Sequence, residues 1–130
     1  MTDDRFNISS VETYLDKILK GRVSKNMYAG TLPNTLPEEM ADCVLIDCGG
    51  AINDHGPYSK GVVNIFLYAQ PTSNGRKNVA ALSRMEKAIN KVLDDAGDET
   101  YVLTQLYRDS DYDTNYNMHY IIVAVNLLIK

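Results

Sequence analysis

A chain of 130 residues is long enough to bury one sizeable core. Apolar residues make up 45% of it and charged residues 23%, which excludes wholesale disorder. The formal net charge is −4 with no run of lysine or arginine, which argues against a nucleic-acid binder, since such proteins carry a basic stripe.

The opening "MTDDRFNISS" is polar and acidic. It predicts an arm over residues 1–8 of a single domain spanning 1–130, and it lacks the apolar stretch of a signal peptide. Ser9-Ser10-Val11-Glu12 matches a capping box, with Ser9 as N-cap and Glu12 reaching back. Val11, Tyr14, Leu15, Ile18 and Leu19 follow at helical spacing and Gly21 is a natural stop, so a helix is predicted over about 10–20.

Residues 26–41, "NMYAGTLPNTLPEEMA", carry Gly30, Pro33 and Pro37. Prolines at that density exclude a helix and disfavour a central strand, which leaves a short edge strand at Met27–Ala29 and then an extended arm. "CVLIDC" is a strand with Val44, Ile46 and Cys48 on one side. The odd spacing of Cys43 and Cys48 sends them to opposite faces, about 16 Å apart, which predicts two free thiols and a reducing compartment.

"GGAINDHGPYSKG" (49–61) is rich in turn residues and predicts a long loop. "VVNIFLYA" (62–69) is a strand whose Val63, Ile65, Leu67 and Ala69 face is wholly apolar. A helix over about 77–96 buries Leu82, Met85, Ile89, Val92 and Leu93 and leaves Arg84, Lys87, Lys91 and Asp94 to solvent.

Two strands close the chain, 100–108 and 118–129, joined by an aspartate-rich segment. The last is apolar on both faces, which marks a central strand covered twice. Its "IIVAVNLLIK" is about half the length needed to span a bilayer, so no membrane partner is expected and the product is predicted to be soluble and intracellular. The order α-β-β-β-α-β-β predicts an α+β fold, two helices packed on one antiparallel sheet of about four to five strands. Two helices cover one sheet face; a curled edge or another subunit is left to cover the other.

Asp109, Asp111 and Asp113 alternate in "RDSDYDTNY" as at the start of a calcium loop. An EF-hand from Asp109 needs glycine at its sixth position and glutamate at its twelfth, where this chain has Thr114 and Tyr120. The segment is instead expected to form the charged tip of the last hairpin. His55 and His119 are the only histidines, and no phosphate-binding, dinucleotide or nucleophile-elbow motif occurs. Neither an enzyme nor a metal or other cofactor is expected.

The proline-punctuated "YAGTLPNTLPE" arm before "VLIDC", then "GVVNIFLYA", the helix "NVAALSRMEKAINKVLDDAG" and a final hairpin with a polar tip form a recognisable succession. Over about residues 8–129 it resembles the tail-completion and tail-terminator proteins of tailed bacteriophages, and more loosely the neck proteins of that fold. The resemblance implies an α+β subunit without catalytic residues that forms a homo-oligomeric ring, commonly hexameric. Such a ring caps the tail tube, joins it to the head connector and belongs to the virion tail assembled in the host cytoplasm. It makes no sequence-specific nucleic-acid contact.

On that basis the candidate interface residues are Tyr28, Leu32, Pro33, Leu36 and Pro37 of the arm, Asp54, His55 and Tyr58 of the long loop, and Asp109, Asp111 and Asp113. Nine tyrosines without a tryptophan suit partly exposed strands and protein interfaces. Two other readings stay open: a head–tail connector or minor capsid component, and a small-ligand-binding or regulatory α+β domain, including an enzyme with a dispersed site.

Overall fold

The computed structural model describes residues 8–48, 53–54, 59–97 and 100–130, with only the backbone of 53 and 54. Helix α1 (Ile8–Leu19) buries Val11, Leu15 and Leu19, the apolar stripe expected of it. The predicted capping box does not form. Ser9 lies inside the helix, and its carbonyl accepts a hydrogen bond from Thr13 Oγ1 at 2.9 Å. Gly21 ends the turn at φ +77°, a conformation costly for a side chain with Cβ, and the Leu19 carbonyl accepts the amides of Arg22 and Val23.

Strands β1 (Met27–Ala29), β2 (Asp42–Asp47), β3 (Asn53–Asp54) and β4 (Ser59–Ala69) come before helix α2 (Val79–Asp95). Strands β5 (Tyr101–Asp113) and β6 (Met118–Ile129) follow it. The sheet runs β1-β2-β4-β6-β5, with β3 paired to β4. Helix α2 starts at Asn78, whose Oδ1 accepts the Ala81 amide at 3.1 Å, and it buries Leu82, Met85, Ile89 and Val92.

Three expectations are corrected. The sheet is mixed rather than antiparallel, because β1 pairs parallel to β2 in the register Met27–Val44 to Ala29–Ile46. Polar side chains hold that pairing: Ser24 Oγ donates to Asp42 Oδ1 at 2.6 Å, and Asn26 Nδ2 to the Asp42 carbonyl at 2.9 Å. The loop over 49–61 is shorter than predicted, since Asn53 pairs with Lys60 and Asp54 with Ser59 as an antiparallel extension of β4. Finally, Asp109, Asp111 and Asp113 do not form the hairpin tip. They belong to β5, opposite Ile122, Tyr120 and Met118, and the turn itself is Thr114–Asn117.

Both helices pack on one face of the sheet. Val44, Ile46, Val63, Ile65, Leu67, Val123, Val125 and Leu127 meet the buried stripes of α1 and α2 there. Tyr14 stacks on Tyr101 with ring centroids 4.2 Å apart, and its hydroxyl accepts the Gly97 amide at 3.0 Å, which joins the end of α2 to α1.

The opposite face holds a second cluster of Leu32, Met40, Cys43, Leu45, Tyr68 and Met118. The proline arm lies over it. Tyr116, in the β5–β6 turn, donates its hydroxyl to the carbonyls of Leu32 (3.2 Å) and Pro33 (2.9 Å). Part of the second face is thus covered from within the chain, by a segment that sequence reasoning assigned to partners.

Cys43 and Cys48 are both free and buried, on opposite faces as their spacing required. Burial, then the neighbouring Asp42 carboxylate, pushes the Cys43 thiol up from 9.0 to about 12. Burial, followed by Glu12 and Asp47, pushes Cys48 up to about 11. Protonated thiols therefore contribute stability that is fully present below pH 9.0 and lost as pH rises through about 11 to about 12. Between pH 9.0 and about 11, a thiol reagent is expected to label neither cysteine in the native protein and both after denaturation. Rapid labelling of the folded protein would show that a thiol is open to solvent.

Candidate functional site

Beyond the arm, the second sheet face is only partly covered. Val62, Asn64 and Phe66 of β4 lie opposite Asn126, Ala124 and Ile122 of β6, and β5 brings Val102, Thr104 and Tyr107 to the same face. Tyr107 is 58% exposed and Val62 42%; Phe66, Ile122 and Leu128 are half-buried. Apolar side chains alternate here with Asn64, Asn126 and Thr104, and the exposed Val62 and Tyr107 make this face the candidate interaction surface.

A bulge sets the acidic border of this surface. The β5–β6 register shifts between Gln105 and Tyr107, so Leu106 is an extra residue on β5. Before the bulge the odd-numbered residues Tyr101 and Leu103 face the helices, packed against the first core. After it, Asp109, Asp111 and Asp113 fall on the open face, opposite Ile122, Tyr120 and Met118. Arg108 turns the other way, towards α2, where it pairs with Glu86 at 2.8 Å and donates to Asn90 and to Gln105 at 2.7 Å.

The aspartates differ in what they do. Asp109 and Asp111 are exposed, and each accepts only the amide of the next residue, Ser110 at 2.7 Å and Tyr112 at 2.8 Å. Asp113 is half-buried; it accepts the Asn115 amide at 2.9 Å and the Tyr68 hydroxyl at 3.3 Å. Burial foremost, then the Asp113 charge and its hydrogen bond, raises the pKa of Tyr68. Tyr120 is raised as well, by burial and then by Asp111, Asp113 and Asp109.

Alternate residues of a strand stand about 7 Å apart, too far for three carboxylates to converge on one ion. Among the described residues, no group of three or more His, Cys, Asp or Glu is placed to hold a metal. Asp109→Asn combined with Asp111→Asn is expected to leave the melting temperature unchanged, with or without calcium. A calcium-dependent rise in the parent that vanishes in the double variant would establish a metal site.

The helical side carries charges of both signs. Arg84 is taken up by Asp42 at 2.5 Å. Arg22 and Lys91 have no ion pair among the described residues, and with Ala88, Val92 and Asp95 they line an open groove of about 460 Å3. Lys17 lies beyond it, beside Ile18, Asp95 and Ala96.

The arm candidates are divided. Leu32 is buried, and Tyr28 and Leu36 pack on the second cluster, so these side chains work within the chain. Pro33 and Pro37 are exposed. Asp54 takes part in β3 through its backbone, and His55 and Tyr58 lie outside the described residues. Sequence reasoning missed Tyr107, whose facing depends on the bulge. It also missed Arg22 and Lys91 as a pair, because they come together only where the end of α1 meets α2.

No protein-family model matches the chain. No curated protein matches it either. Among solved structures, it is similar to a chain in the virion of a native gene transfer agent particle, with a TM-score of 0.51 and 15% identity. The likeness covers 92% of this chain and 89% of that one, so it extends to the whole arrangement of two helices on a mixed sheet. At that identity it is a likeness of fold.

Proposed function

We propose that this chain is a non-enzymatic structural component of a phage-like virion. In this reading copies of it form a ring that completes or terminates the tail tube and joins it to the head connector. The observation that carries the reading is the fold shared, over nearly the full length of both chains, with a component of a virion particle. The open sheet face beside the arm agrees with it, since a subunit held between neighbours exposes apolar surface that a monomer covers. The net negative charge also suits a ring through which DNA passes without adhering.

The test is made in cells that produce the particles. The chain should be found in purified particles by mass spectrometry, and gold-labelled antibody should mark the head-proximal end of the tail. Deleting it should give heads and tails that fail to join, or tails of uncontrolled length. Particles that lack the chain, or that assemble normally without it, would refute the reading. Label at the neck with normal tail length would favour a connector role.

A further inference from the structure

We propose that residues 31–40 of the proline arm are a strap that opens as one piece while the rest of the chain stays folded, and so regulates how much of the second sheet face a partner can reach. The device goes beyond the tail reading and does not depend on it.

The arm is tied at its two ends and by two tyrosine hydroxyls between them. The Gly30 amide donates to the Ile46 carbonyl at 2.8 Å, and the Gln70 amide to the Ala41 carbonyl at 2.9 Å. Among the described residues no main-chain hydrogen bond joins 31–40 to the sheet, and the Met40 amide goes to Pro37 within the arm. Tyr116 is the latch, through its hydroxyl bonds to the Leu32 and Pro33 carbonyls. Tyr28 adds a weak one, from its hydroxyl to Met40 Sδ at 3.8 Å.

The remaining hold is apolar. Leu32 and Met40 are buried and Leu36 is half-buried, while Asn34, Thr35, Glu38 and Glu39 are exposed. Those contacts lie on one side of a segment that Pro33 and Pro37 stiffen, so they are lost together. Gly30 supplies the hinge. Its φ is +81°, and no atom lies within 4 Å of where a Cβ would stand, so the backbone turns there without obstruction.

What the strap covers gives its opening a consequence. Cys43, Leu45, Tyr68 and Met118 form the cluster beneath it. In register, Cys43 stands opposite Tyr68 and Tyr68 opposite Tyr120, while Leu45 stands opposite Phe66 and Phe66 opposite Ile122. The covered cluster and the open face are therefore one surface, and the strap hides the part of it that reaches β2. Opening leaves the first core intact, because that core lies on the other side of the same strands.

Oxidation by dilute hydrogen peroxide, followed site by site with mass spectrometry, reads the device in the full-length protein. Met40 belongs to the strap, Met118 lies under it and Met85 is in the first core, and none is more than 3% exposed. Met40 and Met118 should be oxidised roughly tenfold faster than Met85 or more, because opening the strap breaks fewer contacts than losing the first core. Ile89→Val, a change in the first core, should raise Met85 oxidation by roughly fivefold and leave Met40 and Met118 at the parent rate. Tyr116→Phe weakens the closed state against every opening, so it should raise all three by roughly fivefold. The same variant should bind more of the neutral dye Nile red with an unchanged circular dichroism spectrum.

The inference is overturned if Met118 is as well protected as Met85, or if Ile89→Val accelerates all three sites together. Either result ties the strap to global unfolding. It is also overturned if Tyr116→Phe leaves Met118 oxidation or dye binding at the parent level. Tyr116 would then not hold the strap, or its opening would uncover nothing.

Discussion

Ile65→Asp is expected to yield no folded protein, and Val123→Asp the same. Both side chains are 0% exposed and stand opposite each other in the β4–β6 register, beneath the two helices. Each change gives up about 1.5–3 kcal/mol of apolar burial. It also places a carboxylate in the apolar core, an effective penalty of about several kcal/mol even after relaxation. Against a total stability of about 5–15 kcal/mol, the sum removes most or all of it.

The matching control is Val62→Asp, three residues away on the opposite face and 42% exposed, which should remain soluble and melt cooperatively. Circular dichroism and solubility separate the outcomes. A soluble, cooperatively melting Ile65→Asp protein would show that the facing of β4 is wrong.

Leu32→Asp is expected to weaken the protein without unfolding it. Leu32 is 6% exposed in the second cluster, and the arm that carries it is held to the β5–β6 turn by Tyr116. A charge there need not stay buried, because the arm can lift and let water reach it, while the first core stays closed. The loss is therefore bounded by the burial the arm provides, about 2–3 kcal/mol, which lowers the melting temperature by about 10 °C.

Release of the arm should also open residues 30–41 to protease and expose the Cys43 side of the sheet to hydrophobic dyes. Tyr116→Phe removes only the two hydroxyl hydrogen bonds and should cost about 1 kcal/mol. If Leu32→Asp left stability, proteolysis and dye binding unchanged, the arm would not be part of the fold.

Much of the scaffold was legible because its signals are local. The stripe Leu82, Met85, Ile89, Val92 specifies a helix and its buried side at once, since spacing and burial come from the same 3.6-residue turn. The alternation Val63, Ile65, Leu67, Ala69 does the same for β4. An α+β fold with both helices on one face follows from those two periodicities and the order of the elements.

The candidate site was less legible. From composition alone, the arm and the aspartates read as outward-facing. The arm is fixed by Tyr116, which lies 84 residues from Leu32 and 83 from Pro33. No local pattern encodes a contact at that separation.

By itself, then, the sequence determined the two helices, the core positions of β2, β4 and β6 with their apolar faces, and the impossibility of a bridge between Cys43 and Cys48. The tertiary structure alone decided three things: the parallel placing of β1, the folding of the arm onto the second face, and the side on which the aspartates stand. The last depends on one residue. Tyr101 and Leu103 must pack against the first core, while Arg108 must reach Glu86 and Asn90 on α2. A regular strand sends odd and even positions to opposite faces and cannot meet both demands. The bulge at Leu106 meets them, and it carries Asp109, Asp111 and Asp113 to the open side of the sheet.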